Sequence, residues 1–340
     1  MSTVASIGSS LSILSGASAS SRAMTATAST KTTAASQAAA SSSVSSTATA
    51  MASSQALEDE SIDDQTYTAN AGHQGGFSVA GAANTSATSV GLGSTSYYSQ
   101  FMPTRPGFSA DALANAVSNP GLETISSGLS SADSASAARA SLDSKYAAMA
   151  ASGQPFDVNS PEGKDWYTAF GSLDRNALNA AMNNQGGLFT KQEQDIAQSI
   201  MSQQQGLAMG LYSGPSSQAS KFVDPFAGQD SSARMKAGAK WLDQVSNDEK
   251  KTVAWAFSRA SAQTSYKNSG SAAADSENLN SDSPLVSLIA SAMNTMSSAP
   301  SRSYTIGNVT TISDLLAQPW FMGFTSQLNG AIEQTQNLYS

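Results

Sequence analysis

Cysteine is absent from this chain of 340 residues, and histidine occurs once, as His73. The absence of cysteine excludes disulfide bonds, thiolate nucleophiles and thiolate-bound metals. His73 lies among glycines in a linker-like segment, whereas a catalytic base needs a fixed position. The sequence therefore gives no support for a Ser-His-Asp triad, a Cys-His pair or a histidine metal site, and we expect no cofactor.

Charged residues make up only 12% of the chain, about half of the usual share. The net charge is −8, and an acidic run between Glu58 and Asp64 holds five of the 25 acidic residues. The densest group of basic residues consists of Arg234, Lys236, Lys240, Lys250, Lys251 and Arg259. Acidic residues are interleaved with this group, namely Asp230, Asp243, Asp248 and Glu249. We interpret this group as a solvated face of two helices, and we expect no nucleic-acid partner.

Long apolar runs are also missing, since none approaches the ~20 residues that a membrane span needs. The first residues lack Lys and Arg, which argues against a cleaved signal peptide. Their apolar residues Val4, Ile7, Leu11 and Leu14 are spaced to share one helical face. This uncharged, serine-rich beginning resembles the uncleaved export signals of bacterial type III and flagellar substrates. The alternative is a tail with four chance apolar positions.

The first 56 residues contain 41 Ser, Ala or Thr, and the first aromatic residue is Tyr67. Such a composition buries too little apolar surface to offset the entropy lost on ordering the chain. We therefore predict a disordered arm with a glycine-rich linker over residues 1–100. All four tryptophans lie later in the chain, so we predict a helical domain over residues 101–340, with a possible connector at 267–282.

Helix-start signals recur from Ser109 onward. Thr190 to Glu193 and Ser246 to Glu249 both have the capping-box pattern, and two Ser-Pro pairs place proline at the first helical position. These signals predict an all-α, bundle-like fold of eight or nine helices. The β-branched residues between Tyr304 and Ile312 predict one short hairpin.

Carboxylates are the remaining candidates for catalysis. Acidic residues occur in pairs at three predicted helix starts, namely Glu162 with Asp165, Glu193 with Asp195, and Asp248 with Glu249. Glycan cleavage would need two carboxylates from separate elements in one cleft. The alternative is structural, because acids in a first turn cap the helix and complement its dipole. The glycine-rich segment from Gly206 to Pro215 likewise predicts a tightly packed helix end more than a ligand groove.

Three hypotheses of function follow. The leading one is a non-enzymatic bacterial structural or interaction protein with a protein partner, exported without a cleaved signal peptide or held at the cell surface. The second is a cytoplasmic helical adaptor, and the third is a carboxylate-dependent glycan hydrolase. The sequence assigns no catalytic, cofactor-binding or metal-binding residue and does not set the oligomeric state.

Overall fold

A computed structural model describes residues 93–269, 277–297 and 309–340. Within these ranges the chain forms α-helices and short 3₁₀ helices and no strand. The prediction of an all-α fold is therefore confirmed. His73, the first 92 residues of the predicted arm and most of the predicted hairpin fall outside the described residues, and Ile312, the last residue of that hairpin, begins a helix.

The α-helices of the described ranges are α1 (Thr95–Ser99), α2 (Asp111–Ser118), α3 (Ser131–Ala151), α4 (Lys164–Phe170), α5 (Arg175–Met182), α6 (Lys191–Ala208), α7 (Ser231–Leu242), α8 (Asn247–Lys250), α9 (Val253–Asn268), α10 (Pro284–Ser297), α11 (Ile312–Leu316) and α12 (Thr325–Leu338). In the same ranges, 3₁₀ helices lie at Pro161–Gly163, Gln185–Gly187, Ser216–Lys221 and Pro319–Phe324.

The predicted number of eight or nine helices was too low, because some predicted helices are divided. The helix that begins after Ser246 ends at Lys250, and the Thr252 hydroxyl then accepts the Trp255 amide at 3.2 Å and starts α9. The last predicted helix begins instead as the 3₁₀ helix Pro319–Phe324. The ordered helices also begin before Phe101, since the Ser94 side chain caps α1.

Of the two predicted capping boxes, one forms completely and the other only in half. The Ser246 hydroxyl accepts the Glu249 amide at 3.2 Å, but the Glu249 carboxylate bonds Arg175. The Thr190 hydroxyl accepts the Glu193 amide at 3.2 Å, and the Glu193 carboxylate accepts the Thr190 amide at 2.8 Å, so the capping box is confirmed. Asp174 caps α5 through the Ala177 amide at 2.8 Å. A further capping box starts α11, where the Thr311 hydroxyl accepts the Asp314 amide at 3.1 Å and the Asp314 carboxylate accepts the Thr311 amide at 2.9 Å.

Apolar side chains from these helices form two large clusters. The first includes Phe101, Tyr167 and Phe170, which are fully buried among α1 to α6. The second includes Trp255 and Phe321 and is built from α7, α9, α10, α12 and the segments between them. Helix α6 packs against both α5 and α7, so polar side chains near the end of α6 lie where the two clusters adjoin.

The glycine-rich segment after α6 is a packed helix end, as the sequence indicated. Helix α6 ends at Ala208, and Gly210 then adopts a φ of +71°, which L-residues rarely adopt. A Cβ atom on Gly210 would lie 2.6 Å from the Phe226 ring and 2.7 Å from an oxygen of Asp224. The position thus needs glycine both for its conformation and for its close contacts.

Candidate functional site

The six carboxylates considered from the sequence do not gather in one cleft. They contact six different partners: Glu162 with Ser217, Asp165 with Arg105, Glu193 with Arg139, Asp195 with Lys191, Asp248 with Lys251, and Glu249 with Arg175. Five of these contacts are ion pairs, and Glu162 instead accepts hydrogen bonds from Ser216 and Ser217. The arrangement agrees with the structural alternative for these residues.

Asp165 is a buried anchor for the chain that precedes α2. One of its oxygens accepts Arg105 Nε at 2.7 Å, and the other accepts the Asp157 amide at 2.9 Å. The Arg105 amide also donates to the Thr168 hydroxyl at 2.9 Å, which fixes the same segment on α4. Asp165 therefore has its acceptor capacity used by protein donors.

Glu162 is the one carboxylate of this set on a left-handed backbone, with a φ of +56°. Its side chain crosses to Ser216–Lys221 and accepts the Ser217 amide at 2.8 Å and the Ser216 hydroxyl at 3.2 Å. The hydrogen bond from the Ser217 hydroxyl, together with that from its amide, lowers the pKa of Glu162. Such a backbone conformation costs roughly 1 kcal/mol or more, and these bonds hold it in place.

Glu193 is held in its ionised form by a cluster of donors. Its Oε1 atom lies 2.7 Å from Arg139 Nη1 and accepts the Tyr146 hydroxyl at 3.1 Å. Burial opposes ionisation, but the bonds from Arg139 and Thr190 outweigh it and lower the pKa of Glu193. A carboxylate with a lowered pKa is a poor proton donor at neutral pH, so Glu193 does not suit the acid role in glycan cleavage.

Arg175 and Glu249 form a buried ion pair where the two apolar clusters adjoin. Arg175 Nε lies 2.8 Å from Glu249 Oε2, and Arg175 Nη2 lies 2.7 Å from Oε1, so the pair is bidentate. Each side chain is only 4% exposed. Sequence reasoning missed Arg175, although a cation in the first turn of a helix opposes the dipole and signals a compensating partner.

The same guanidinium joins several helices. Arg175 Nη1 donates to the Met201 carbonyl at 3.1 Å and to Gln204 Oε1 at 2.9 Å, and the Trp241 ring lies 4.4 Å from the guanidinium carbon. Gln204 in turn donates to the Leu113 carbonyl at 3.1 Å. The network therefore connects α2, α5, α6, α7 and α8 through satisfied polar groups, as a buried charge requires.

A cavity of about 30 Å³ lies beside this ion pair. Its walls include Arg175, Glu249, Met201 and Trp255, and the rest of the lining mixes polar and apolar residues, namely Met182, Gln198, Gln205, Leu242, Thr252, Ala254, Ser258, Val309 and Thr310. A space of this size is one that ordered water fills.

Two acidic residues, Glu123 and Asp174, lie close together at the start of α5, and the sequence did not reveal this pair. Asp174 Oδ2 accepts the amides of Thr124, Ile125 and Ser126 at 2.8, 2.6 and 3.0 Å. Glu123 approaches the same place, and burial together with the Asp174 charge raises the pKa of Glu123 to about 7. Between the two pKa values, and so at mildly acidic pH, Glu123 is neutral while Asp174 is ionised.

The basic residues noted in the sequence are distributed among separate ion pairs. Lys236 and Lys240 both contact Glu277 at 2.6 Å, and Arg234 Nη1 contacts Asp224 at 3.0 Å. The prediction of a solvated face was wrong for Arg259, which is 1% exposed and bonds Asp243 at 2.7 Å. Lys250 instead lies over the Tyr339 ring, 5.5 Å from its centroid.

Comparison with known proteins does not add a function. No protein-family profile, curated protein or solved structure matches this chain. In the ranges that the structure describes, no cluster of three or more acidic or histidine side chains is placed to hold a metal ion. Across the same ranges, every helix is too short or too polar to span a membrane.

Proposed function

We propose that this chain is a non-enzymatic interaction protein that contacts a protein partner through its C-terminal end. The observation that carries the proposal is three exposed apolar side chains, Ile312, Leu316 and Met322, on two elements that contact each other, α11 and the 3₁₀ helix Pro319–Phe324; we call this set the C-terminal ridge. Their side chains are 44%, 44% and 69% exposed. Ile312 and Leu316 lie four residues apart in α11 and therefore share a helical face.

The surroundings of the C-terminal ridge indicate the chemistry of the partner. The exposed residues between and after its members are uncharged, namely Ser313, Ala317, Pro319, Gly323, Thr325, Ser326 and Gln327. The one acid in this stretch, Asp314, accepts the Thr310 and Thr311 amides at 3.1 and 2.9 Å. An uncharged apolar helix face on a protein partner fits such a surface, because neither side would bury an unpaired charge.

The C-terminal ridge predicts a partner contact centred on Met322. A photo-crosslinking amino acid at Met322 should yield one protein adduct in intact cells, whereas the same probe at exposed Gln334 should not. With that partner purified, M322S should weaken binding about tenfold or more, since burying such a side chain contributes about 1.5–3 kcal/mol. Equal labelling at both positions, or equal affinity of M322S and wild type, would contradict the proposal.

Export is a separate part of the proposal and rests on the composition of the N-terminal region. We expect a C-terminally tagged full-length chain in the culture supernatant of its bacterial host and expect a chain without residues 2–25 to stay in the cells. A cytosolic marker enzyme in the same supernatant controls for lysis. Retention of both forms would favour the cytoplasmic adaptor, which shares the C-terminal ridge but needs no export signal.

A further inference from the structure

We propose that Glu123, Ser126 and Asp174 form a proton-controlled latch, which holds residues 123–126 on the start of α5 and loosens when Glu123 loses its proton. This inference concerns a conformational device and goes beyond the interaction proposed above. It rests on which of these three side chains supplies the hydrogen in each of the hydrogen bonds between them.

Asp174 has no capacity left for a proton. Its Oδ2 atom accepts three backbone amides, and its Oδ1 atom accepts the Ala177 amide at 2.8 Å. All of these donors require lone pairs on the carboxylate. They lower the pKa of Asp174 against the opposing effect of its burial. Asp174 is therefore the ionised member of the pair.

The Ser126 hydroxyl shows where the proton of the pair lies. Ser126 Oγ is 3.0 Å from Asp174 Oδ1 and also 3.0 Å from Glu123 Oε2. A hydroxyl has one hydrogen and can donate it to only one of these oxygens. The ionised Asp174 is the stronger acceptor of the two, so we assign the hydrogen to that bond, and the contact with Glu123 then needs a hydrogen from Glu123 itself. The chain of donors then runs from Glu123 through Ser126 to Asp174.

The surroundings of Glu123 favour its neutral form. Its other oxygen, Oε1, is buried without a hydrogen-bond partner among the described residues, which suits the carbonyl of an acid better than a carboxylate. The charged group that faces it from the start of α5 is Asp174. The Ser126 hydroxyl and the Asn176 amide favour the charged form of Glu123, but burial and the Asp174 charge outweigh them. From the end of α7, the neutral Gln244 carbonyl packs near Gly121.

The direction of the pH effect follows from these contacts. Glu123 has a pKa of about 7 when the latch is closed, against an ordinary value of 4.5. The closed latch therefore gains its full stability below pH 4.5 and loses it progressively as the pH rises toward 7. Loosening would uncover Ile125, which packs partly buried on the first apolar cluster.

The test measures both the proton and the latch. Carbon-detected NMR of the full chain should give a pKa near 7 for the Glu123 carboxyl, and the amides of Thr124, Ile125 and Ser126 should lose hydrogen-exchange protection between pH 5 and 8. We expect a loss of about tenfold after correction for intrinsic exchange, because solvent screening reduces the effect at this half-buried group.

Glu123→Gln keeps the shape of the side chain and removes its titration. The three amides should then have protection that does not change with pH, whereas Glu333→Gln, at an exposed acid of α12, should behave as wild type. The wild-type titration tests the latch even if Glu123→Gln folds poorly. A pKa near 4.5 for Glu123, or an equal pH slope in Glu123→Gln and wild type, would overturn the proposal.

Discussion

Replacing Arg175 by methionine is expected to lower the free energy of unfolding by about 3–5 kcal/mol, because it leaves the Glu249 carboxylate buried without its counter-ion. Both side chains are only 4% exposed, and Glu249 has two short bonds to this guanidinium. A loss of that size is a large part of the stability of an ordinary domain. Urea denaturation followed by tryptophan fluorescence would measure it.

Two further variants distinguish a buried ion pair from a general loss of packing. R175M/E249L removes both charges and should recover much of the stability, since replacing a whole buried pair is often neutral. K191M breaks the exposed ion pair between Lys191, which is 78% exposed, and Asp195. It should lower the free energy of unfolding by no more than about 0.5 kcal/mol. An R175M protein as stable as K191M would refute the structural role of the pair.

Local patterns explain which parts of this fold the sequence could predict. The Thr190 to Glu193 capping box lies within a single turn, so its residue types specify the contact directly. The same holds for the Asp174 cap of α5. The division between α8 and α9 was missed because Thr252 starts a new helix only two residues after Lys250, inside what the sequence presents as one continuous helix.

The candidate sites depend on contacts that no local pattern contains. Arg175 and Glu249 are 74 residues apart in the chain, and Ser126 and Asp174 are 48 apart. The sequence identified Glu249 as a first-turn residue, but not its distant partner. The roles of Glu123 and Arg175 arise only when packing brings separate helices together, and the burial that raises the pKa of Glu123 arises at the same time.

Gly171 provides the second large expected effect. Its φ of −57° is ordinary for a helix end, so glycine is not needed there for conformational freedom. A Cβ atom would instead lie 2.1 Å from the Ser109 carbonyl oxygen and 2.5 Å from that of Tyr167. Both are backbone atoms, which no side-chain rotation can move away. We expect G171A to cost about 3 kcal/mol or more in the free energy of unfolding.

Gly330 is the matched control for this substitution. It lies on the exposed side of α12, and a Cβ atom there meets no other group within 4 Å. Alanine favours the helix over glycine, so G330A should stabilise the protein by about 0.4–1 kcal/mol. If urea denaturation shows that G171A lowers the free energy of unfolding and G330A raises it, the close approach of α4 to the Ser109 backbone is the cause of the loss in G171A. A G171A protein as stable as G330A would show that this approach is looser than the distances indicate.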